Sequence, residues 1–353
     1  MTFSDFGKLH IPLVDSFIDL YFKGKIEASE LPVMKELYRD LGEFINRDGK
    51  RVRPLLLLAA YYGYGGDTSA SGEVIGIASI LEIMHAMLLI QDDIVDKAAL
   101  RRGKPAFHLL LGGKYSSYTH TESIGTDLAL VLSDLLFADS LEILSDSSFD
   151  ASLKNRFLRA FSETYQYTVW GQVLDSLYSM SKDIAGAKDA PMIIGRMKTA
   201  YYTIFYPLQM GYILTGRDDA AEIAAIKEFS IPLGFAFQLR DDILGVFGLD
   251  SAIGKPADSD IREGKLTLLV QYALQSMPDA DRDRFLPLFL TMQKSDADVD
   301  AVREMVRATG AKDRAEERLA GLAAEARMKL ASLSIDREYR DVLKGLIDLI
   351  GAA

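Results

Sequence analysis

The chain has 353 residues, of which 49% are apolar and 26% are charged. This composition is that of a globular protein and excludes wholesale disorder, a collagen repeat and a small disulfide-rich scaffold. The sequence contains no cysteine, which excludes disulfides, thiol catalysis, zinc-thiolate sites and iron-sulfur clusters. A formal net charge of -11 argues against nucleic-acid binding, so any phosphorylated ligand needs local basic groups or metal ions.

Helical periodicity runs through nearly the whole chain, with apolar residues at i, i+3, i+4 and i+7 and no convincing strand-like alternation. We therefore predict an all-α protein. The breaks are short clusters of Gly, Pro and Ser, which favours a single domain over residues 1–353. The predicted helices span Pro12–Lys25, Leu31–Arg47, Val52–Tyr62, Gly72–Lys97, Asp127–Leu144, Ala151–Ser181, Pro191–Thr215 and Ala220–Phe247, with several more from Ile261 to the end.

The N-terminal residues show no positive region followed by an apolar run, so no secretory signal is predicted. The longest apolar runs, such as Leu55–Tyr62 and Met84–Ile90, are shorter than the 18 or more residues that a membrane-spanning helix needs. These features predict a cytoplasmic protein without a transmembrane segment.

The most informative segment is Gln91-Asp-Asp-Ile-Val-Asp96, at the end of a helix that is apolar from Val74 to Ile90. Like charges crowded on a mostly buried helix disfavour ionisation unless a cation neutralises them. Asp92 and Asp96 lie four residues apart and face the same way, so their oxygens can share Mg2+ ions that also take phosphate oxygens. Taken alone, the motif could equally be a solvated helix end.

A second acidic cluster, Gln238-Leu-Arg-Asp241-Asp242, closes another largely apolar helix. Two acidic helix ends of the same design can face each other across one cavity and hold metal ions between them. Chance recurrence explains this pattern poorly.

Basic residues flanked by glycine accompany both clusters. Arg presents a planar fork to phosphate and Lys a point charge, so these residues beside Mg2+-recruiting aspartates describe a diphosphate pocket. Pro54 suits the first turn of a helix, whose N-terminus is a ready anion site. The basic segments are Gly49-Lys-Arg-Val-Arg-Pro54, Arg101-Arg-Gly103, Gly254-Lys255 and Gly264-Lys265.

These blocks resemble the motifs of the trans-isoprenyl diphosphate synthases (polyprenyl synthetases) of the farnesyl or geranylgeranyl type, and they stand in that family's order. The resemblance implies an isoprenoid-synthase-type helical bundle around a central cavity, more than one Mg2+ per active site, and a homodimer. It also implies head-to-tail condensation of isopentenyl diphosphate with an allylic diphosphate. Further matching motifs are Glu82-x-x-His85, Gly171-Gln-x-x-Asp175 and Lys198-Thr199.

The resemblance also implies a role for each matching position. Mg2+ would be bound by Asp92, Asp96 and Asp241, while Asp93 and Asp242 complete the two catalytic motifs. Isopentenyl diphosphate would be held by Lys50, Arg53, His85 and Arg102. The allylic diphosphate site would include Arg101, Gln172, Lys198, Thr199, Gln238, Lys255 and Lys265, with Asp175 lining the same cavity. Oxygens of Lys198, Thr199 and Gln238 would face the allylic cation.

Two departures from the family pattern concern metal binding and product length. Gly245 stands where many relatives have a third aspartate, so only Asp241 and Asp242 remain in the second motif. Met87 and Leu88 stand where short-chain enzymes place aromatic rings, while Met84 lies one turn deeper and is the predicted floor for the growing chain. We therefore predict geranylgeranyl diphosphate, C20, as the main product, with farnesyl diphosphate second and longer chains third.

Other functions remain open at this point. A terpene cyclase shares the aspartate-rich helix but would not need Lys50, Arg53 and Arg102 for a second diphosphate. A non-catalytic subunit of a synthase typically loses one or both aspartate motifs, whereas both are present here. Trp170 and the aromatic group Tyr201, Tyr202, Phe205 and Tyr206 are predicted to be core residues.

Overall fold

The structure, a computed structural model, describes residues 1–118, 121–179, 189–248, 258–291 and 293–352. The prediction of an all-α protein is confirmed. The helices before residue 180 are α1 (Phe3–Ala28), α2 (Pro32–Ile45), α3 (Val52–Gly63), α4 (Ser71–Val95), α5 (Phe107–Lys114), α6 (Thr121–Asp146) and α7 (Ala151–Ser179). After residue 188 follow α8 (Ala190–Gly195), a π-helix (Arg196–Phe205), α9 (Tyr206–Leu214), α10 (Ala220–Phe247), α11 (Ser259–Glu263), α12 (Leu268–Ser276), α13 (Asp279–Leu290), α14 (Asp296–Ala308), α15 (Ala311–Leu330) and α16 (Arg337–Gly351).

The chain divides into two compact units. The first comprises residues 1–160, 207–218 and 335–343, and the second comprises residues 161–206, 219–334 and 344–353. The prediction of a single domain over residues 1–353 stays a prediction.

The first unit is built around α4, whose residues from Val74 to Met84 are buried without a break. Because α4 is apolar on all sides, it can be stable only inside other helices. The span Thr68–Val95 is long and apolar enough to cross a bilayer, but 78% of its most apolar window is buried within the protein. The apolar stretch is thus longer than the sequence analysis judged, and its burial is that of a core helix.

The second unit contains α10, which matches its predicted bounds from Ala220 to Phe247. Asp219 caps its first turn by accepting a hydrogen bond from the backbone N–H of Ala221 at 2.8 Å. At Gly234, a side chain would lie 2.2 Å from the Cα of Ala200, so only glycine lets α10 approach the π-helix this closely. The close approach fixes the π-helix, which carries Lys198 and Thr199, against the helix that carries the second aspartate motif.

The π-helix departs from the predicted continuous helix over Pro191–Thr215. Its last hydrogen bond runs from the N–H of Tyr206 to the carbonyl of Tyr201, five residues back. Pro207 follows directly and has no N–H to donate, which disfavours regular α-helical bonding around this point.

Three further differences concern helix ends and a turn. Helix α1 begins at Phe3 because Thr2 caps it, so Pro12 lies inside the helix and does not begin it. Helix α5 lies between the predicted helices Gly72–Lys97 and Asp127–Leu144, where we predicted no helix. In the described part of the chain, the only strands are β1 (Leu100–Arg101) and β2 (Lys104–Pro105), an antiparallel pair too short to show alternation in sequence.

Candidate active site

The first aspartate motif occupies the C-terminal turn of α4. Asp96 is the C-cap and donates its backbone N–H to the carbonyl of Asp92 at 2.8 Å. Asp92 and Asp96 are both half-buried. They are therefore accessible to an added ion or ligand.

Asp93, in contrast, is fully buried. Its Oδ1 accepts a hydrogen bond from Nε of Arg101 at 2.8 Å and a second from Nη2 of the same guanidinium. Burial raises the pKa of the Asp93 carboxyl, and Arg101 counteracts that rise. The same guanidinium lies 3.7 Å from Asp92 Oδ2. Asp93 thus anchors Arg101 beside the outward-facing aspartate.

Arg102 is held by the hairpin that follows α4. Arg102 and Gly103 link β1 to β2 and have φ of 54° and 73°, the pair of positive values that a two-residue type I′ turn requires. Arg102 is thus a bulky residue in a left-handed conformation, which needs support from its side chain. Its Nη1 donates to the carbonyl oxygen of Arg47 at 2.8 Å. In return, Arg47 Nη1 donates to the carbonyl oxygen of Pro105 at 2.9 Å.

The basic segment before α3 lies against Arg102. Arg51 is the N-cap of α3 and has a φ of 45°. Its buried guanidinium donates to Asp15 at 2.8 Å and to Glu82 at 2.7 Å. A Cβ on Gly49 would lie 2.9 Å from a guanidinium nitrogen of both Arg51 and Arg102, so both side chains pack directly against this glycine. Lys50 is exposed and Arg53 is half-buried.

His85 lies on α4 within the field of these arginines. Burial lowers the pKa of the His85 imidazole well below its usual value, and the positive charges of Arg53 and Arg102 lower it further. The imidazole is therefore neutral at neutral pH and can donate one hydrogen bond. The first unit thus brings Arg53, His85, Arg101 and Arg102 into one electrostatic neighbourhood, and their roles in diphosphate binding stay predictions.

The second aspartate motif, in the second unit, likewise combines accessible and buried carboxyl groups. Asp241 is exposed, whereas Asp242 is only 3% exposed. Asp242 accepts hydrogen bonds from Nε2 of Gln238 at 2.8 Å and from the backbone N–H of Leu268 at 3.3 Å. Burial and, to a smaller extent, repulsion from Asp260 raise the pKa of Asp242 to about 8.

Asp260 is a residue that the sequence analysis missed. A Cβ on Gly245 would lie 2.3 Å from Asp260 Oδ2. The Asp260 carboxyl therefore occupies the space that the side chain of a third aspartate at position 245 would need. Asp260 is 7% exposed. Its place between Lys255 and Lys265 was the available signal, but only tertiary packing shows that it lies against α10.

Other predicted site residues in the second unit form specific pairs. Lys198 Nζ donates to Asp175 at 2.7 Å, and the Thr199 hydroxyl donates to the amide oxygen of Gln238. Lys265 pairs with Glu263 at 2.6 Å. Gln172 is half-buried on α7, and Lys255 lies outside the described residues.

The residues predicted to set product length lie on α4. Met84 and Met87 are fully buried and Leu88 is half-buried. The predicted aromatic core group is confirmed, since Tyr201, Tyr202, Phe205 and Tyr206 are each at most 9% exposed. The expectation for Trp170 is wrong, because this side chain is 61% exposed.

Among the described residues, no group of three or more His, Asp or Glu side chains is close enough to hold a metal ion. Mg2+ needs few protein ligands, because it keeps waters and takes substrate phosphates beside one or two carboxylates. The accessible pair Asp92 and Asp96 fits that requirement, since both carboxylates are half-buried and four residues apart.

Comparison with known proteins finds relatives in both sequence and fold. The chain is 32% identical to a short chain isoprenyl diphosphate synthase of Methanothermobacter thermautotrophicus over 71% of each chain. It is 32% identical to a geranylfarnesyl diphosphate synthase of Aeropyrum pernix over 87% of this chain and 91% of that one.

The fold matches a geranylgeranyl pyrophosphate synthase of Corynebacterium glutamicum, solved in complex with isoprenyl diphosphate and magnesium. The TM-score is 0.89 at 28% identity, with 100% of this chain and 99% of the other covered. Residues 34–307 match the family model for polyprenyl synthetase. The chain therefore belongs to the polyprenyl synthetase family, the trans-prenyltransferases with the helical isoprenoid-synthase fold.

Proposed function

We propose that this polyprenyl synthetase condenses isopentenyl diphosphate head to tail with an allylic diphosphate, with Mg2+ as cofactor and geranylgeranyl diphosphate as the main product. The observation that carries the proposal is the cluster of Arg51, Arg53, Arg102 and neutral His85 in the first unit. A terpene cyclase binds one diphosphate and has no use for such a cluster in addition to Arg101. Both aspartate motifs are present, which argues against a non-catalytic subunit.

The reaction breaks the C1–O bond of the allylic diphosphate and forms a C–C bond to isopentenyl diphosphate, whose lost proton goes to the released pyrophosphate. Asp92, Asp96 and Asp241 would hold Mg2+, which would supply positive charge to the departing diphosphate. Arg101, fixed by Asp93, adds a donor at the same site. The oxygens of Thr199 and Gln238, already hydrogen-bonded to each other, face the allylic cation.

Incubation with labelled isopentenyl diphosphate and one allylic diphosphate tests this function. We expect extractable prenyl product that depends on Mg2+ and disappears with EDTA. Cyclised hydrocarbon without use of isopentenyl diphosphate would indicate a cyclase, and no product would indicate a non-catalytic subunit.

Product length has its own test on α4. Leu88 is half-buried and lies one turn nearer the aspartates than fully buried Met84. We expect Leu88→Phe to shorten the product towards C15 and Met84→Ala to lengthen it beyond C20, the latter at a stability cost of about 2 to 5 kcal/mol. Chromatography of the dephosphorylated alcohols measures both shifts, and a C25 main product from the unaltered protein would place it with the geranylfarnesyl enzymes.

We also propose a homodimer. Helix α6 exposes Leu130 at 50% and Val131 at 67%, a pair of large apolar side chains that a second copy can cover. Light scattering after size exclusion should give the mass of two chains, and Val131→Glu should shift it towards one.

A further inference from the structure

Glu82 is a buried carboxylate of α4 to which the proposed reaction gives no task. Its side chain is 3% exposed and lies ten positions before Asp92, so it is not part of the aspartate motif. A buried carboxylate is retained only when positive groups compensate its charge. Its partners therefore define its role.

Two arginines share one oxygen of Glu82. Oε1 accepts a hydrogen bond from Arg51 Nη1 at 2.7 Å and a longer one from Arg102 Nη2 at 3.5 Å. Both guanidiniums also lie against the backbone of Gly49, where an added Cβ would be 2.9 Å from each of them. Two positive side chains packed this closely repel each other unless an anion lies between them.

Both arginines also have left-handed backbone conformations, with φ of 45° at Arg51 and 54° at Arg102. Non-glycine residues adopt such conformations mainly where surrounding contacts hold them. Arg51 begins the α3 segment and Arg102 turns the hairpin, so the two segments come from distant parts of the sequence. Glu82 is the side chain that both guanidiniums contact.

We propose that Glu82 is a positioning residue for the isopentenyl diphosphate site: it holds Arg51 and Arg102 together so that Arg102 is ready to bind the diphosphate. The inference rests on the proposed function. Glu82 itself does not contact substrate, since its negative charge would repel a diphosphate.

Because of this repulsion, two possible roles of Glu82 predict opposite changes in diphosphate affinity. If Glu82 acted only through its charge, Glu82→Gln would remove a negative group near the site and would tighten diphosphate binding. If Glu82 positions the arginines, the same change releases Arg102 and weakens binding. Glutamine keeps the size and the acceptor oxygen of the side chain but loses the charge-assisted bonds.

The experiment is calorimetric titration of the full chain with isopentenyl diphosphate in buffer containing EDTA, together with steady-state kinetics in Mg2+. We expect Glu82→Gln to raise the Kd and the KM for isopentenyl diphosphate by about tenfold or more. The KM for the allylic diphosphate and kcat at saturation should stay close to those of the unaltered protein.

Glu36→Gln is the matched control, because Glu36 is an exposed glutamate of the same unit that pairs with Lys114 at 2.9 Å. It makes the same charge change away from the arginines and should leave the Kd unchanged. If Glu82→Gln fails to fold, Glu82→Asp keeps the charge but withdraws it by one methylene, and a folded Asp variant should show an intermediate Kd.

An unchanged or tighter Kd in a folded Glu82 variant overturns the inference, even if its melting temperature falls, because a purely structural role would have that result. Failure of the unaltered protein to bind isopentenyl diphosphate would instead overturn the proposed function, and the inference with it.

Discussion

Asp93 and Asp242 are the inward-facing members of two aspartate motifs, yet different groups lie against their carboxyl groups. Asp93 is bonded twice by the guanidinium of Arg101, a counter-charge supplied by the chain itself. Asp242 is bonded by an amide and a backbone N–H, and the carboxylates of Asp260 and Asp241 lie near enough to raise its pKa. The inner aspartate of the first motif therefore faces a positive charge of the chain, whereas that of the second is bonded by neutral donors and has its pKa raised by burial and by Asp260.

The comparison also separates the aspartates proposed to bind metal ions from those that hold neighbouring groups in place. In each motif the accessible aspartate, Asp92 or Asp241, can reach an added ion, and the buried one orients its surroundings. Similar sequence patterns thus contain two kinds of carboxyl group, and neutralising each kind should have a different effect.

The largest expected effect is on stability. Asp93→Asn removes the buried carboxylate that bonds Arg101 and should cost about 3 kcal/mol in the free energy of unfolding. Asp242→Asn replaces a carboxyl whose raised pKa already favours the neutral form at neutral pH, so it should change stability by less than about 1 kcal/mol. Urea unfolding of the full chain without metal measures both, and equal losses would mean that the two inner aspartates are alike.

The next effect is on catalysis. Asp92→Asn and Asp241→Asn should each lower kcat by about 100-fold or more, the scale for losing one preorganised electrostatic contact, while folding survives. Asp300→Asn is the control, since Asp300 is an exposed aspartate paired with Arg303. Full turnover by either site variant would remove it from the metal set.

A third effect separates the basic residues. Arg53→Ala and Lys50→Ala should raise the KM for isopentenyl diphosphate far more than that for the allylic substrate, since each loses a contact of about 1.5 to 3 kcal/mol. Arg101→Ala should do the reverse. Equal effects on both substrates in steady-state assays would show that the division of these residues is wrong.

The smallest effect concerns His85 and pH. Because the pKa of His85 is lowered in the folded protein, the unfolded chain binds the extra proton and stability falls as the pH drops below about 6.5. His85→Gln should remove up to about 1.4 kcal/mol per pH unit from that slope between pH 6.5 and 5. Unfolding curves at several pH values test it, and identical slopes would mean that His85 does not contribute.

Helices whose ends depend on nearby residues are the ones that the sequence can predict. Both ends of α10 were predicted correctly, because its apolar periodicity, the Asp219 cap and the following Gly248 all indicate the same bounds. The start of α1 was missed although Thr2 and Asp5, a capping pair, gave the signal. The π-helix was missed because its bonding depends on Pro207 and on packing at Gly234 as well as on periodicity.

The candidate site likewise contains residues that the sequence predicts and residues that only tertiary contacts reveal. Aspartate and arginine motifs stand out in sequence, because charged groups on apolar helices are conspicuous. The roles of Glu82 and Asp260 depend on contacts between segments that are distant in the chain, which spacing cannot reveal. Trp170 was misjudged because an exposed tryptophan and a buried one have the same sequence pattern.

The contact between Gly245 and Asp260 constrains how this second motif can change by mutation. A third aspartate at position 245 would have to place its Cβ 2.3 Å from Asp260 Oδ2 and add like charge beside it. Gly245→Asp alone should therefore be strongly deleterious, whereas Asp260→Ala would first open the space. The two substitutions should show sign epistasis, so an evolutionary path to a three-aspartate helix is open in one order and closed in the other.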